Sequence, residues 1–382
     1  MDTSVYVHFP WCVQKCPYCD FASQSLARGQ PPGHHYADAV LRELDWRAGA
    51  LPGRRLSSVF FGGGTPSLWA PAQLGRVLRG IRAAFEEHVP CLEVSVECNP
   101  TSLGRRAAAA LREVGVNRLS IGVQSLDDDE LRFLGRLHDS AGALHALDAA
   151  VLELPRVSAD MMFGLPEQTP ASFCAQLERV LACGVGHVSC YALTVEPSTR
   201  FGALQRQGRL PLAPERAVVD TFRATERLLE QAGLAHYEVS NYARAGQHAR
   251  HNEHYWRGGS YLGLGAAAVG CLGHGAAAAR RYRNQPDPTR YMRCSRLSQL
   301  EVFEERLGCP ELIREAWMLG LRTSHGVHID TLRARLGVDP LLGRERALRR
   351  LGKRGDLELV EGHLRVPAQR WLWLDGITSE LF

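Results

Sequence analysis

Three cysteines at the spacing Cys12-x3-Cys16-x2-Cys19 follow directly on a strand-like run, Ser4 to Phe9. Clustered thiolates are metal ligands. Three of them can hold three irons of a cubane iron–sulfur cluster, and because such clusters usually take four cysteines, a fourth iron would stand open as a reaction site. Zinc is the other metal such thiolates take, but its structural sites want four ligands, commonly as two separated pairs, and the chain has no second Cys-x-x-Cys pair. A third reading, small buried hydrophobes, fits poorly with three cysteines inside eight residues around Lys15 and Pro17.

The other residues able to do chemistry are spread along the chain. The run Gly62-Gly63-Gly64-Thr65-Pro66 lets a backbone approach a ligand closely and offer amide hydrogens to a carboxylate. Glu97 could bind ribose hydroxyls, and Gln124 a ligand carboxylate or base; Arg136 and Asp160 complete the polar set. In His251-Asn-Glu-His-Tyr-Trp256, a histidine able to ligate haem iron stands beside aromatics able to wall a porphyrin, although such a string also suits a surface loop or core edge. Gly263-Leu-Gly-Ala-Ala-Ala268 mimics a dinucleotide fingerprint, but with no strand before it and no βαβ unit around it that reading fails; the segment is expected to pack at the barrel mouth.

These residues need elements to bring them together. Strands are expected at Ser4 to Phe9, Leu56 to Phe61, Leu92 to Glu97, Asn117 to Val123, Val157 to Phe163 and His187 to Ala192. Helical patterns lie between them at His35 to Arg47, Pro71 to Phe85, Arg105 to Val114, Ala141 to Glu153 and Pro170 to Cys183. Alternation of this kind predicts an α/β fold with a parallel sheet, and six units predict a partial (β/α)6 barrel. Catalytic groups of such barrels sit at the carboxyl ends of strands. Here those ends carry the cysteine loop, the triple glycine, Glu97, Gln124, Asp160 and Ala192. A linker follows from Val195 to Pro214, then a helix at Glu215 to Gln231. Helices at Glu311 to Leu321, His328 to Leu336 and Arg344 to Lys353, with a hairpin at Leu357 to Val366, make up the tail. The expected division is 1–197 for the barrel, 198–301 for a connecting region, and 302–382 for a helix-rich, winged-helix-like domain.

The cysteine spacing, within Tyr6-Val-His-Phe-Pro-Trp-Cys12 and before Pro17-Tyr-Cys-Asp-Phe21, resembles the radical S-adenosylmethionine (SAM) enzymes. It is most similar to the branch of oxygen-independent coproporphyrinogen III dehydrogenase and the haem chaperones. The resemblance implies a 4Fe-4S cluster on Cys12, Cys16 and Cys19, whose open iron chelates SAM and whose electron splits the sulfonium to a 5'-deoxyadenosyl radical. It implies contacts of Tyr6, Tyr18, Gly63, Glu97 and Val269 with one SAM, and of Gly64, Thr65, Gln124, Arg136, Asp160 and Ala192 with a second. The string His-Asn-x-x-Tyr-Trp resembles a motif of the haem chaperones that the dehydrogenases lack, which implies His251 as haem ligand. Dehydrogenases of the branch carry a further cysteine where this chain has Phe21, and an N-terminal extension. Taken together, the resemblance implies a haem chaperone that delivers haem to apo-haemoproteins, respiratory ones foremost. The alternatives are the oxygen-independent coproporphyrinogen III oxidase/dehydrogenase of porphyrin biosynthesis, or a related radical SAM methyltransferase.

Composition bounds these readings. In 382 residues, 45% are apolar and 23% charged, the proportions of a globular protein. The net charge of +4 is carried almost wholly by arginine, with Lys15 and Lys353 the only lysines, and does not point to nucleic acid. A basic stretch, Arg344 to Arg354, reads first as a solvated helix face. No run approaches the roughly 20 apolar residues that span a bilayer, leaving at most a peripheral membrane contact. Eleven cysteines without a signal peptide are expected in a reducing cytoplasm.

Overall fold

Six strands run parallel in sequence order: β1 (Asp2–Phe9), β2 (Arg55–Gly63), β3 (Glu87–Cys98), β4 (Arg118–Gln124), β5 (Val157–Phe163) and β6 (His187–Ala192). They belong to a computed structural model that describes residues 1–26, 31–273 and 277–382. Between them run α1 (Gly33–Arg47), α2 (Pro71–Ala84), α3 (Arg105–Glu113), α4 (Asp128–Phe133), α5 (Ser140–Glu153) and α6 (Pro170–Ala182). Local chemistry explains the helix starts. Pro71 and Pro170 each open a helix, where a missing N–H costs nothing, and Thr169 accepts from the Ser172 N–H at 3.1 Å as an N-cap.

Strand alternation divides the sheet into two chemistries. One face carries Val5, Val7, Phe9, Val59, Phe61, Val94, Val96, Leu119, Ile121 and Val123, all buried in the main core under the helices. The opposite face carries Tyr6, His8, Ser58, Phe60, Glu97, Arg118, Ser120, Asp160, Ser189 and Tyr191. Barrels of this kind usually fill their interior with branched apolar side chains; this one keeps a polar interior, the first sign that it holds something.

The sheet extends beyond six strands. At the β6 edge it continues through β8 (Asn241–Ala243) to β7 (Ala235–Glu238), both antiparallel. At the β1 edge it continues through β9 (Ser260–Leu264), parallel to β1, then β10 (Val269–Gly273), β11 (Ala279–Asn284) and β12 (Glu301–Leu307). The region expected to be a connection therefore adds strands to the same twelve-stranded sheet. Strand β9 also corrects one reason given against the dinucleotide fingerprint: a strand does lead into it. The chain then turns back into antiparallel β10 rather than into a helix, so the βαβ unit is still missing.

Two further expectations are corrected locally. The linker after Val195 contains a helix, Arg200–Arg206, capped by Thr199. The segment around His251 is not a loop but a short helix, labelled α8 (Arg250–Trp256) after α7 (Glu215–Gln231), in which His251 is buried. In the tail, α9 (Cys309–Gly320), α10 (Ile329–Leu336) and α11 (Glu345–Arg354) pack around a second core built on Trp317, Leu332 and Leu351. The expected hairpin is present, as Glu358–Val360 with His363–Arg365, and Val327–His328 joins it as a third strand.

Candidate functional site

The strand ends and the polar interior open into one cavity of about 990 Å³. Every residue singled out from the sequence lines it: Cys12, Cys16 and Cys19; Tyr6 and Tyr18; Gly63, Gly64 and Thr65; Glu97, Gln124, Arg136, Asp160, Ala192, His251 and Val269.

The cysteine loop is tied to itself and to the sheet. Cys12 pairs with Ser25, the Cys19 N–H donates to Cys16 O at 3.2 Å, and Lys15 Nζ donates to Phe21 O at 2.7 Å. His8, on β1, reaches up through Nε2 to Ala22 O at 3.0 Å. Burial raises the thiol pKa of Cys12 and of Cys19 against the pull of neighbouring hydrogen bonds and the Lys15 ammonium. Arg136 spans from the Cys16 Sγ, at 3.6 Å, to the Gly122 carbonyl at 2.6 Å. Burial works against its charge, but Tyr18 and Cys16 outweigh that and raise its pKa. Among the described residues no three Cys, His, Asp or Glu side chains are arranged to hold a metal ion. One ion needs its ligands to converge on a point, whereas a cubane spreads three thiolates over three irons; the loop suits the second demand.

The turn at the triple glycine is held by hydrogen bonds to its neighbours. Its N–H groups are already used: Gly63 donates to Glu97 Oε2 at 2.9 Å, Gly64 to Phe9 O at 2.7 Å, and Thr65 to Trp11 O at 2.8 Å. A Cβ on Gly64 would stand 2.5 Å from Trp11 O, and Gly63 has φ +108° with a would-be Cβ 2.5 Å from the His8 ring. The glycines are needed for β2 to lie against the start of the cysteine loop. Glu97 lines the cavity beside the turn and its Oε2 holds it; burial pushes its carboxyl up to about 7.

Gln124 ends β4 at φ +70°, a strained conformation for a non-glycine residue, and its Oε1 accepts from Tyr191 at 2.7 Å. Asp160 is not at a strand end but in mid-strand, level with Gly122 and Ser189, and accepts from Ser120 Oγ at 3.0 Å. Burial raises its pKa as well.

His251 is 2% exposed. Its ring stacks on Phe60 at 4.9 Å, meets Tyr255 edge-on at 4.9 Å, and places Nδ1 2.8 Å from Ser58 Oγ. Its Nε2 has no partner, and the residue lines the cavity. Burial lowers its pKa well below the usual imidazole range, so the ring is neutral and has a lone pair to give. Glu93 holds the helix in place by accepting from the N–H groups of Arg250, at 3.1 Å, and His251, at 3.0 Å. One ring nitrogen is thus held by an outer partner and the other is left without one.

Residues missed by the sequence reading are those of the inner strand face: His8, Phe60, Arg118, Ser120, Ser189 and Tyr191. The signal was present as alternation, for example Arg118-Leu-Ser-Ile-Gly-Val-Gln124 and His187-Val-Ser-Cys-Tyr191, with polar or small residues on every second position.

Comparison with known proteins agrees with this geometry. Residues 6–180 match the family model of the radical SAM superfamily, and residues 310–373 that of the HemN C-terminal domain. The chain is 37% identical to radical S-adenosyl methionine domain-containing protein 1, mitochondrial, of Bos taurus, over 99% of this chain and 87% of that one. It is 39% identical to the haem chaperone HemW of Escherichia coli, over 70% of this chain and 69% of that one. Against the haem chaperone HemW of Synechocystis the figures are 36%, 86% and 79%. Among solved structures, the coproporphyrinogen III oxidase HemN of Escherichia coli superposes with a TM-score of 0.82 over 99% of this chain and 89% of that one, at 23% identity.

Proposed function

Because the chain belongs to the radical SAM superfamily, in the branch of HemN and the HemW haem chaperones, we propose that it is a haem carrier on a radical SAM scaffold. The observation that carries this reading is His251: a buried neutral imidazole, oriented through Nδ1 and unpartnered at Nε2, on the wall of a large cavity. A structural histidine in a core is expected to have both nitrogens satisfied. Phe21, on the cavity rim where the resemblance places an additional cysteine in dehydrogenases, supports a carrier over that enzyme.

In this reading Cys12, Cys16 and Cys19 hold a 4Fe-4S cluster, and the cavity takes one or two SAM molecules beside haem. Bound together, cluster and SAM would supply one-electron cleavage chemistry. The chain's own part is to bind and orient. Arg136 sets a fixed positive charge against Cys16, Glu97 offers its carboxylate to hydroxyl groups, Tyr6 and Tyr18 wall the space, and Ser58 fixes the His251 tautomer. Haem would pass to apo-haemoproteins, those of respiration foremost. All eleven cysteines are free, which suits a reducing compartment; among the described residues no helix is long and apolar enough to cross a membrane.

The test is haem titration of the full chain, with product analysis on coproporphyrinogen III. A carrier binds haem at one per chain with a Soret band that moves in His251→Ala, and forms no protoporphyrinogen when loaded with cluster and SAM. Turnover to protoporphyrinogen, with haem affinity indifferent to His251, would replace the carrier with the oxidase reading.

A further inference from the structure

The cavity floor holds a charge with no counterpart. Arg118, at the start of β4, is 3% exposed and lines the cavity, yet among the described residues its side chain makes no hydrogen bond and no ion pair within 4.0 Å. Charged groups in a protein interior are ordinarily paired, whereas this guanidinium opens on the cavity without a protein partner. Its neighbours do not supply the pairing. Glu97 and Asp160 lie close enough to feel its field, but Glu97 is bonded to Gly63, Asp160 to Ser120, and burial raises the pKa of both.

Its place in the sheet says what it faces. Across the ladder Arg118 is level with Ser95, Ser95 with Phe60, and Phe60 with Tyr6. His251 is stacked on that Phe60. Two strand spacings, about 10 Å, therefore separate the backbone of Arg118 from that of the residue supporting the free His251 nitrogen. We propose that Arg118 is the anion anchor of the cavity and takes a carboxylate of the bound ligand, the propionate of a porphyrin whose iron rests on His251. A porphyrin carries its propionates at the macrocycle edge, away from the iron, which is the relation between these two residues. The proposal rests on the carrier reading for its porphyrin. The same chemistry would also be met by the amino-acid carboxylate of SAM, and a guanidinium binds either one bidentately.

The experiment compares each ligand with its carboxylate-blocked analogue on the cluster-loaded full chain. The probes are haem against its dimethyl ester and SAM against decarboxylated SAM, with the parent, Arg118→Met and Arg118→Lys. If Arg118 holds a propionate, the parent prefers haem to the ester by about 10- to 100-fold, the fold-change a charge-assisted hydrogen bond supplies. Arg118→Met then erases that preference, Arg118→Lys keeps part of it, and the SAM ratio does not move. If the carboxylate is that of SAM, the pattern reverses, and the anchor stands with its source changed. Haem bound through His251 with both ratios indifferent to Arg118 overturns the anchor and leaves the carrier. Failure of haem to bind overturns the carrier, and the SAM arm still tests the anchor. Should Arg118→Met fail to fold, the haem pair in the parent decides, since equal affinity for haem and its dimethyl ester overturns the propionate anchor.

Discussion

Ser58 Oγ lies 2.8 Å from His251 Nδ1, joining residues 193 positions apart, and this contact leaves Nε2 as the ring nitrogen without a partner. Outer partners of ligating histidines typically contribute 10- to 100-fold to metal affinity. Ser58→Ala is therefore expected to weaken haem binding about 10-fold, less than His251→Ala, and to broaden the Soret band as the ring loses its fixed orientation. Equal haem affinity in Ser58→Ala and parent would show that the hydroxyl does not set the ligand.

Glu93 acts on the same histidine through the backbone. Its buried carboxylate takes two N–H groups of α8 and pairs with Arg156 at 2.7 Å. Breaking a buried pair by removing one partner costs about 3–5 kcal/mol. Glu93→Ala should lower the denaturation midpoint accordingly and weaken haem binding, while Glu93→Gln, which keeps an acceptor, should recover part of both. Full stability in Glu93→Ala would remove the capping role.

Gly64 bears on the cluster. Because an added Cβ would meet Trp11 O, next to Cys12, at 2.5 Å, Gly64→Ala must move the loop or β2. The expected cost is about 1–3 kcal/mol, typical of overpacking, with reconstituted iron below the parent's. Replacing Cys12, Cys16 or Cys19 by Ala should abolish the cluster. A Gly64→Ala protein with parental iron content and stability would contradict the packing described above.

Glu97 ties the cavity to pH. Its folded pKa, about 7, is raised above the ordinary 4.5. A carboxyl raised on folding stabilises fully below its unfolded value and loses that contribution as pH rises through the folded one. The parent without ligand should therefore lose stability relative to Glu97→Gln between about pH 4.5 and 7, and level off above. SAM affinity should move the other way, rising as the carboxylate forms to accept ribose hydroxyls. Parallel melting-temperature curves for parent and Glu97→Gln across that range would refute the buried titration.

Much of the barrel could be read from the chain itself. Val157–Phe163 and His187–Ala192 fall where the apolar runs place them, and α7 spans the expected Glu215–Gln231, because strand and helix periods are local and close over a few residues. The cysteine loop was equally legible, since its three cysteines lie within eight residues. Tertiary structure alone decided the rest. Alternation shows that Arg118, Ser120, Gly122 and Gln124 share a face, not that this face is the interior; that depends on helices covering the other side. The pairing of Val5 with Leu262 brings β9 beside β1 and carries Val269 to the cavity, and no local pattern records so distant a contact. His251 shows the division most clearly. Its residue type announced a ligand, but burial, the Ser58 partner and the free Nε2 all come from strands far away in the chain. Residue chemistry and short spacings are properties of the chain, whereas a polar atom left without a partner is a property of everything packed around it.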